Sequence, residues 1–456
     1  MSVKVGERLR EAAAPGVIRE GADALRGYFK HPPPRLDLTL AVPRDSLELA
    51  DIASCAYDND IPIYTHRRGH VNPAVAESGG VLIDLGGIDR IVRIDEANLL
   101  AFVEYGVTFE DLKRELDPLG LRILMPAAAT SSSIVRSYID RDVILANGAT
   151  RPYQYTTFHA ILADGRLWMS GTDQYTPDGH SEFREDLGPM YSNFFHASED
   201  IFGMPYAMKA WVYKRWEERR VTAYAFEDAE SAVKAARLAS RHDQVFECVV
   251  ADRLYISVLL SGSAEEADAL AGELPPWCAV FGFDNHPSLV DIWDRQTWEM
   301  AASCGGRQAD ADLARRMEEK FERPWYLSER AYYRGELSTV DYFTFAGKVA
   351  GLFAAVEEAA GGYPLGRVAI PSYYGAAFYC ETDIHHVEGD GAAAETWLQA
   401  YRSALDKGAH VNRPRGEVAE MVYGRMDPEN VRLIRNLKRV LDPKGLLNPG
   451  QLMEGV

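Results

Sequence analysis

The stretch Tyr64-Thr65-His66-Arg67-Arg68-Gly69-His70 decides how the rest of the chain is interpreted. It follows a helix and a strand in the pattern, and the apolar run Val81-Leu82-Ile83-Asp84-Leu85 comes after it. A short loop of basic residues, a glycine and histidines between buried strands suits an anion, because its backbone N–H groups can surround a phosphate. A histidine in the loop can contact whatever is attached to that phosphate. The stretch therefore predicts a cofactor-binding protein.

Size and charge narrow the class of protein. A chain of 456 residues is too long for one simple core, so two or three structural units are expected. The net charge of -19 argues against nucleic acid and anionic membranes as partners, because both need a basic surface. The sequence has no apolar run of the roughly 18–20 residues that a membrane span needs. The five cysteines form no CxxC pair, which argues against a disulfide framework or a zinc site. We expect a cytoplasmic protein.

Local signals outward from the loop predict alternating helices and strands. Asp45 is expected to cap a helix over residues 47–59, and Thr108 with Asp111 is expected to cap a helix over residues 109–116. The turn Ala163-Asp164-Gly165-Arg166 predicts a hairpin. Residues 1–35 are predicted to form a helical lead-in. Strands are predicted over residues 38–43, 61–64, 80–85, 88–96, 99–104, 158–162 and 167–169.

The pattern changes past residue 220. Helices and strands now alternate in a way that predicts an α/β layer over an antiparallel sheet. The predicted strands cover residues 244–250, 254–261, 367–370 and 377–380. The predicted helices cover residues 229–240, 264–274, 343–360 and 428–441.

Four blocks of residues, at 43–70, 81–112, 140–165 and 437–450, resemble the FAD-binding oxidoreductases of the vanillyl-alcohol oxidase / p-cresol methylhydroxylase (PCMH) family. The fourth block, Leu441-Asp442-Pro443-x-Gly445-Leu446-Leu447-Asn448-Pro449-Gly450, is the most specific. The resemblance implies an α+β fold, with a two-lobed PCMH-type FAD-binding domain and an α/β cap domain that contains an antiparallel sheet. The domains would cover residues 36–219 (FAD), 220–410 (cap) and 411–456 (a return to the FAD domain), after the lead-in at 1–35.

The resemblance implies that FAD is the cofactor and indicates which residues contact it. His70 occupies the position where many members attach the flavin covalently, although Val71 replaces the serine that usually follows. The alternative is a histidine that only hydrogen-bonds the cofactor. Arg67 and Arg68 would balance the pyrophosphate, unless they are surface arginines. The cofactor-binding residues are predicted to be His66, Arg67, Arg68, Gly69, His70, Thr130, Ser131, Ser132 and Asn448. The serine run could instead be a surface loop.

Two residues are predicted to be catalytic from the same resemblance. Asp140, in Asp140-Arg141, would lie near flavin N5 and move a proton, unless it forms a purely structural salt bridge. Arg413 would bind a phenolate or a carboxylate, unless it is a surface arginine; Asn412 stands where the family usually has tyrosine. Asn412, Tyr374 and His386 are predicted substrate contacts. No metal site is predicted.

Three functions remain open at this point. The first is an FAD-dependent oxidase or dehydrogenase that takes a hydride from a benzylic or alcohol carbon of a small aromatic, anionic substrate. The second is an FAD-dependent 2-hydroxy-acid dehydrogenase of the D-lactate or glycolate type. The third is a non-catalytic FAD-binding subunit. We expect a homo-oligomer whose electron acceptor is oxygen, a quinone or a cytochrome.

Overall fold

The computed structural model describes most of the chain. The described residues are 2–21, 23–28, 38–66, 79–128, 132–141, 143–144, 154–175, 189–241, 245–323, 330, 333–412, 414 and 416–452. Among them, no helix is both long and apolar enough to cross a lipid bilayer.

The first lobe contains a small sheet that is largely parallel. Its strands are β1 (Ile18–Arg19), β2 (Leu38–Ala41), β3 (Ile63–Thr65) and β4 (Gly80–Ile83), in the order β1-β2-β4-β3. β4 pairs in parallel with both β2 and β3, and every residue of these three strands is buried. The sequences of these strands are largely apolar, because a parallel strand is usually covered on both faces. Helices α1 (Ser2–Glu11) and α2 (Ser46–Asp58) accompany this sheet.

A five-stranded antiparallel sheet follows. It contains β5 (Ile91–Asp95), β6 (Leu100–Glu104), β10 (Tyr155–Ile161), β11 (Leu167–Met169) and β12 (Met204–Trp211), in the order β11-β10-β12-β6-β5. Between β6 and β10 lie α3 (Phe109–Leu116), β7 (Leu121–Arg122), β8 (Pro126–Ala128), α4 (Ile134–Ile139) and β9 (Val143–Ile144). β7 pairs with β13 (Tyr213–Lys214), and β8 pairs with β9. Both sheets share one apolar core.

A larger antiparallel sheet makes up the cap. Its strands are β14 (Glu218–Phe226), β15 (Glu247–Asp252), β16 (Trp277–Asn285), β17 (Arg307–Gln308), β18 (Glu336–Phe345), β19 (Leu365–Ser372) and β20 (Ala377–His386), in the order β17-β14-β16-β15-β19-β20-β18. The helices of the cap are α5 (Ala229–Ala239), α6 (Arg253–Leu260), α7 (Ala264–Glu273), α8 (Pro287–Ser303), α9 (Ala311–Phe321), α10 (Val349–Ala360) and α11 (Ala393–Asp406). Helix α12 (Gly416–Tyr423) also packs against the cap core, whereas α13 (Pro428–Leu441) packs against the core of the first lobe.

Side chains of α11 cover the edge strand of the cap sheet. Trp397 Nε1 donates to the carbonyl of Thr339, and the Tyr401 hydroxyl accepts from the backbone N–H of Asp341. The backbone of Phe343 pairs with that of His410 on both its N–H and C=O groups. These contacts satisfy backbone groups that would otherwise offer a template for another strand.

The predicted α+β class is confirmed, and three element assignments are wrong. The lead-in over residues 1–35 was expected to be helical, but α1 ends at Glu11 and the strand β1 pairs antiparallel with β2. Residues 254–261 were expected to form a strand, yet α6 begins at Arg253 because the Asp252 carboxylate caps it by accepting from the N–H of Tyr255. Packing of α6 against the sheet and α7 overrides the strand preference of its branched residues. Residues 343–360 were expected to be one helix, but β18 continues to Phe345 and α10 begins at Val349. The domain boundaries stay a prediction.

Candidate functional site

A short helix positions Asp140 inside the first lobe. Helix α4 begins when Ser133 Oγ accepts from the N–H of Arg136, at 3.1 Å. All six residues of the helix are buried, and Asp140 ends it with a side chain that is 1% exposed. Arg141 then takes a positive φ of 56°, which turns the chain out of the helix. The local backbone therefore holds Asp140 at a buried position.

Arg136 is the arginine that pairs with Asp140. Its Nε lies 2.6 Å from Asp140 Oδ2, and its Nη1 lies 2.6 Å from Asp200 Oδ2. Glu199 lies 4.0 Å from the same guanidinium. Burial lowers the pKa of Arg136, but the carboxylates of Asp140 and Asp200 outweigh it and raise the pKa above its ordinary value. Arg136 is not among the predicted site residues, although its spacing of four residues from Asp140 on a helix is a recognisable signal.

Backbone strain is concentrated around this pair. Nine described non-glycine residues have positive φ, and five of them, Arg141, Ala197, Glu199, Asp200 and Asn448, belong to this group or its immediate neighbours. Such conformations cost about 1–3 kcal/mol each and persist where surrounding contacts enforce them, often at functional sites. The N–H of Ala197 donates to the carbonyl of Ile139 in α4, which ties the strained turn to the helix.

Asn448 joins the C-terminal segment to the end of β3. Its Oδ1 accepts from the N–H of Thr65 at 2.9 Å, and its Nδ2 donates to Thr65 Oγ at 3.1 Å. Thr65 Oγ donates in turn to Asp200 Oδ2 at 3.0 Å, which connects β3 to Arg136. The chain therefore brings three distant segments together directly before the loop at 66–70. Contact of Asn448 with the cofactor stays a prediction.

His66 lies where this loop begins. Its N–H donates to the carbonyl of Ile83, and its Nδ1 lies 3.9 Å from Asp84 Oδ1. The Tyr28 hydroxyl donates to Asp84 Oδ2 at 2.6 Å. Burial would raise the pKa of Asp84, but hydrogen bonds from His66, Tyr28 and the backbone of Gly86 lower it to about 2. Asp84 is therefore an anion that can orient the His66 ring.

The segment at 410–412 meets the end of α4. Arg141 Nη2 lies 3.4 Å from Asn412 Oδ1, and His410 pairs with Phe343 on the cap sheet. Burial, and then the charge of Arg141, lower the pKa of His410 below its ordinary range. The structure thus brings Asn412, a predicted site residue, into contact with Arg141, the residue that follows Asp140 at the end of α4.

Other predicted residues lie elsewhere. Tyr374 is 49% exposed in the turn between β19 and β20, and His386 contacts Ser338 Oγ at 3.0 Å on the far end of β20. The described contacts place neither of them beside Asp140. Ser132 is half-buried, and its carbonyl accepts from the N–H of Phe109. Outside the described residues lie Arg67, Arg68, Gly69, His70, Thr130, Ser131 and Arg413.

The described part of this region suits a polar cofactor. The hydroxyls of Ser137 and Ser192 and Nη2 of Arg136 are buried without a hydrogen-bond partner among the described residues. Buried polar groups in folded proteins nearly always have partners, so a bound group with hydrogen-bonding atoms is expected nearby. In the same described residues, no group of three or more His, Cys, Asp or Glu side chains could hold a metal ion.

Family models match both ends of the chain. Residues 38–168 match the FAD binding domain, and residues 417–452 match the C-terminal domain of FAD linked oxidases. Over 438 residues the chain is 20% identical to the glycolate oxidase subunit GlcD of Bacillus subtilis, covering 90% of this chain and 87% of that protein.

Two solved structures have a similar fold. A crystal structure of p-cresol methylhydroxylase with substrate bound gives a TM-score of 0.83 at 16% identity, covering 99% of this chain and 97% of that chain. A structure of 4-ethylphenol oxidase from Gulosibacter chungangensis in complex with isoeugenol gives a TM-score of 0.81 at 17% identity, with the same coverage.

These matches define the class of the protein. The chain contains an FAD binding domain and the C-terminal domain of FAD linked oxidases, and its fold is of the PCMH type. It is an enzyme, and its cofactor is FAD. The predictions of family, enzyme class and cofactor are confirmed.

Proposed function

We propose that this enzyme takes a hydride from a benzylic or alcohol carbon of a small aromatic, anionic substrate. When bound, FAD supplies the hydride acceptor at its N5 atom. The observation that carries the proposal is the contact of Asn412 with Arg141, because it links the segment that precedes Arg413 to the helix end at which the buried Asp140 lies. The fold likeness to p-cresol methylhydroxylase and 4-ethylphenol oxidase supports a phenolic substrate.

Each residue of the proposed site has a role that suits its side chain. Asp140 receives or returns the substrate proton, and Arg136 fixes its carboxylate in one orientation at 2.6 Å. Arg413 binds the substrate anion, since a guanidinium can form two parallel hydrogen bonds with an anionic group. Asn412, the residue before Arg413, contributes its side-chain amide to the binding of the substrate. His70 attaches the flavin covalently in this proposal.

A second candidate is a 2-hydroxy-acid dehydrogenase that uses Arg413 for the substrate carboxylate. The likeness to a glycolate oxidase subunit over nearly the whole chain favours it. We further infer a cytoplasmic homo-oligomer that passes electrons to oxygen, a quinone or a cytochrome.

Anaerobic stopped-flow absorbance tests the substrate class. The purified enzyme is mixed with a 4-alkylphenol or an aryl alcohol, and separately with D-lactate or glycolate, and the flavin band is followed. Bleaching by the aromatic compounds alone is the expected result. Bleaching by the acids alone would move the assignment to the second candidate.

Asp140→Asn tests the proton-handling role. We expect flavin reduction to slow by about 10²–10⁴-fold while FAD stays bound, because general acid–base catalysis contributes about that much. Asp173→Asn is the matched control: Asp173 is also fully buried and lies 2.7 Å from a cation, Lys209, in the same lobe. The control should change the reduction rate only a few-fold. Equal rates of flavin reduction in Asp140→Asn and the parent would show that the role of Asp140 is structural.

The flavin attachment has its own test. After acid precipitation of the parent, flavin should stay with the protein pellet, whereas His70→Ala should release it to the supernatant. Flavin in the supernatant of the parent would show that FAD is bound without a covalent link.

A further inference from the structure

The turn over residues 197–200 is held in an uncommon backbone conformation. Three of its four residues have positive φ, with Asp200 at 57°. Residues other than glycine keep such a conformation where surrounding contacts enforce it. Here the contacts come from two distant segments: the N–H of Ala197 donates to the carbonyl of Ile139, and Nδ2 of Asn448 donates to the carbonyl of Asp200 at 3.3 Å. The packing of the lobe therefore decides where the Asp200 side chain lies.

The carboxylate of Asp200 accepts from two donors on different segments. Its Oδ2 accepts from Arg136 Nη1 at 2.6 Å and from Thr65 Oγ at 3.0 Å. All three side chains are buried. A hydrogen bond that involves charged groups is roughly twice as strong as one between neutral groups. Asp200 therefore connects α4 to the last residue of β3, directly before the loop at 66–70.

Arg136 extends this connection to Asp140. Its Nε lies 2.6 Å from Asp140 Oδ2, on the same planar and rigid guanidinium that Asp200 holds at Nη1. Arg136 keeps its charge, because a guanidinium is not deprotonated in proteins. The place in which Asp200 holds the guanidinium therefore sets where a positive charge meets the carboxylate of Asp140.

We propose that Asp200 is the positioning residue for Asp140 and that it acts through Arg136. This inference rests on the proposed function, because it concerns the residue that handles the substrate proton there. Glu199 also lies near the guanidinium, but its Oε2 is 4.0 Å from Arg136 Nη2, which is too far for a hydrogen bond between these atoms. Asp200 is therefore the carboxylate of this turn that holds Arg136 directly.

Asp200→Gly tests the role, because glycine adopts positive φ readily and the substitution removes only the side chain. Flavin reduction is followed by anaerobic stopped-flow absorbance of the FAD-loaded enzyme with saturating 4-methylphenol, or with saturating glycolate if that probe is the one that bleaches the flavin. We expect the limiting rate to fall about 10- to 100-fold, since displacing a catalytic group by about 1 Å can cost about that much. The apparent dissociation constant of the probe should stay close to the parent's, because the role concerns the reacting step and not binding.

Asp60→Gly is the matched control. Asp60 also has a positive φ, of 54°, and lies 2.8 Å from a cation, Lys444, but its side chain is exposed at the surface. The same substitution there should leave the limiting rate unchanged. Asp200→Asn keeps an oxygen that can accept from Arg136, so it should recover most of the rate that Asp200→Gly loses.

A double-mutant cycle separates positioning from a general structural effect. Adding Asp200→Gly to Asp140→Asn should slow flavin reduction little further, because the place of Arg136 matters only while Asp140 handles the proton. Losses that multiply in the double variant would overturn the inference, and so would an unchanged limiting rate in Asp200→Gly. If Asp200→Gly does not retain FAD, Arg136→Lys takes its place in the cycle, because lysine keeps the charge but lacks the planar fork that reaches both carboxylates.

The outcomes distinguish the two proposals. If Asp140→Asn is reduced as fast as the parent, the proton-handling role fails and the inference fails with it. If Asp140→Asn is slow while Asp200→Gly is as fast as the parent, only the inference fails. A parent whose flavin neither probe reduces refutes both.

Discussion

The side chain of Lys438 attaches the C-terminal segment to the first lobe, and substitutions of Lys438 test this attachment. Its ammonium is 4% exposed and makes three contacts: Asp442 Oδ2 at 2.7 Å, the carbonyl of Ile201 at 2.9 Å and the carbonyl of Leu447 at 2.5 Å. Asp442 also accepts from the N–H of Leu447, one residue before Asn448. The same side chain therefore sets the position of the segment that contacts β3.

Lys438→Met keeps the length of the side chain and removes its charge. Asp442 then remains as a buried carboxylate without its cation, which costs about 3–5 kcal/mol. Two backbone carbonyls also lose a donor, so we expect a total loss of about 4–6 kcal/mol. For a lobe of this size the loss corresponds to a fall in Tm of roughly 10–20 °C. Thermal unfolding followed by flavin fluorescence measures it, because FAD leaves when the lobe opens.

Two further variants test whether the isolated buried charge causes this loss of stability. Lys438→Met with Asp442→Asn should lose less than Lys438→Met alone, because the isolated charge is gone. Lys444→Met is the surface control: Lys444 lies 2.8 Å from Asp60, but both side chains are well exposed, so the loss should be about 1 kcal/mol or less. If Lys438→Met costs no more than Lys444→Met, the buried network does not anchor the segment.

The remaining predictions concern pH, close packing and helix ends. Burial raises the pKa of Asp252 to about 7, so the folded state binds this proton more tightly than the unfolded state does. The free energy of unfolding should therefore fall by up to about 4 kcal/mol as the pH rises from about 4 to about 7. Asp252→Asn keeps the helix cap and should flatten that dependence in urea titrations; an unchanged slope would contradict it. Gly87→Ala should lower the free energy of unfolding by about 1–3 kcal/mol, because the new Cβ would lie 2.6 Å from the carbonyl oxygen of Pro43. Gly272→Ala, in open space on α7, should raise it by up to about 1 kcal/mol. Equal urea midpoints for these two variants would refute the packing argument. Thr108→Val should cost about 1 kcal/mol by removing the cap that Asp111 completes, and a midpoint equal to the parent's would show the cap to be dispensable.

Much of the local structure follows from neighbouring residues. The N-caps Asp45 and Thr108 begin α2 and α3 as predicted, and the hairpin between β10 and β11 turns at residues 163–166. Helix α13 covers the predicted residues 428–441. These features depend on contacts within a few positions, where residue type and spacing are sufficient. The family resemblance and the FAD cofactor were read from the same short blocks.

The remaining features depend on distant contacts. Asp200 lies 64 positions from Arg136, and Asn448 lies 383 positions from Thr65, so no local pattern could pair them. Helix α6 has strand-forming residues, yet its packing against the cap sheet makes it a helix. Residue type and spacing are enough to predict the caps, the turns and the cofactor class, because these depend on residues close together in the chain. Which charges share a buried site follows from how distant segments pack, so it is visible in the folded structure and not in any local pattern.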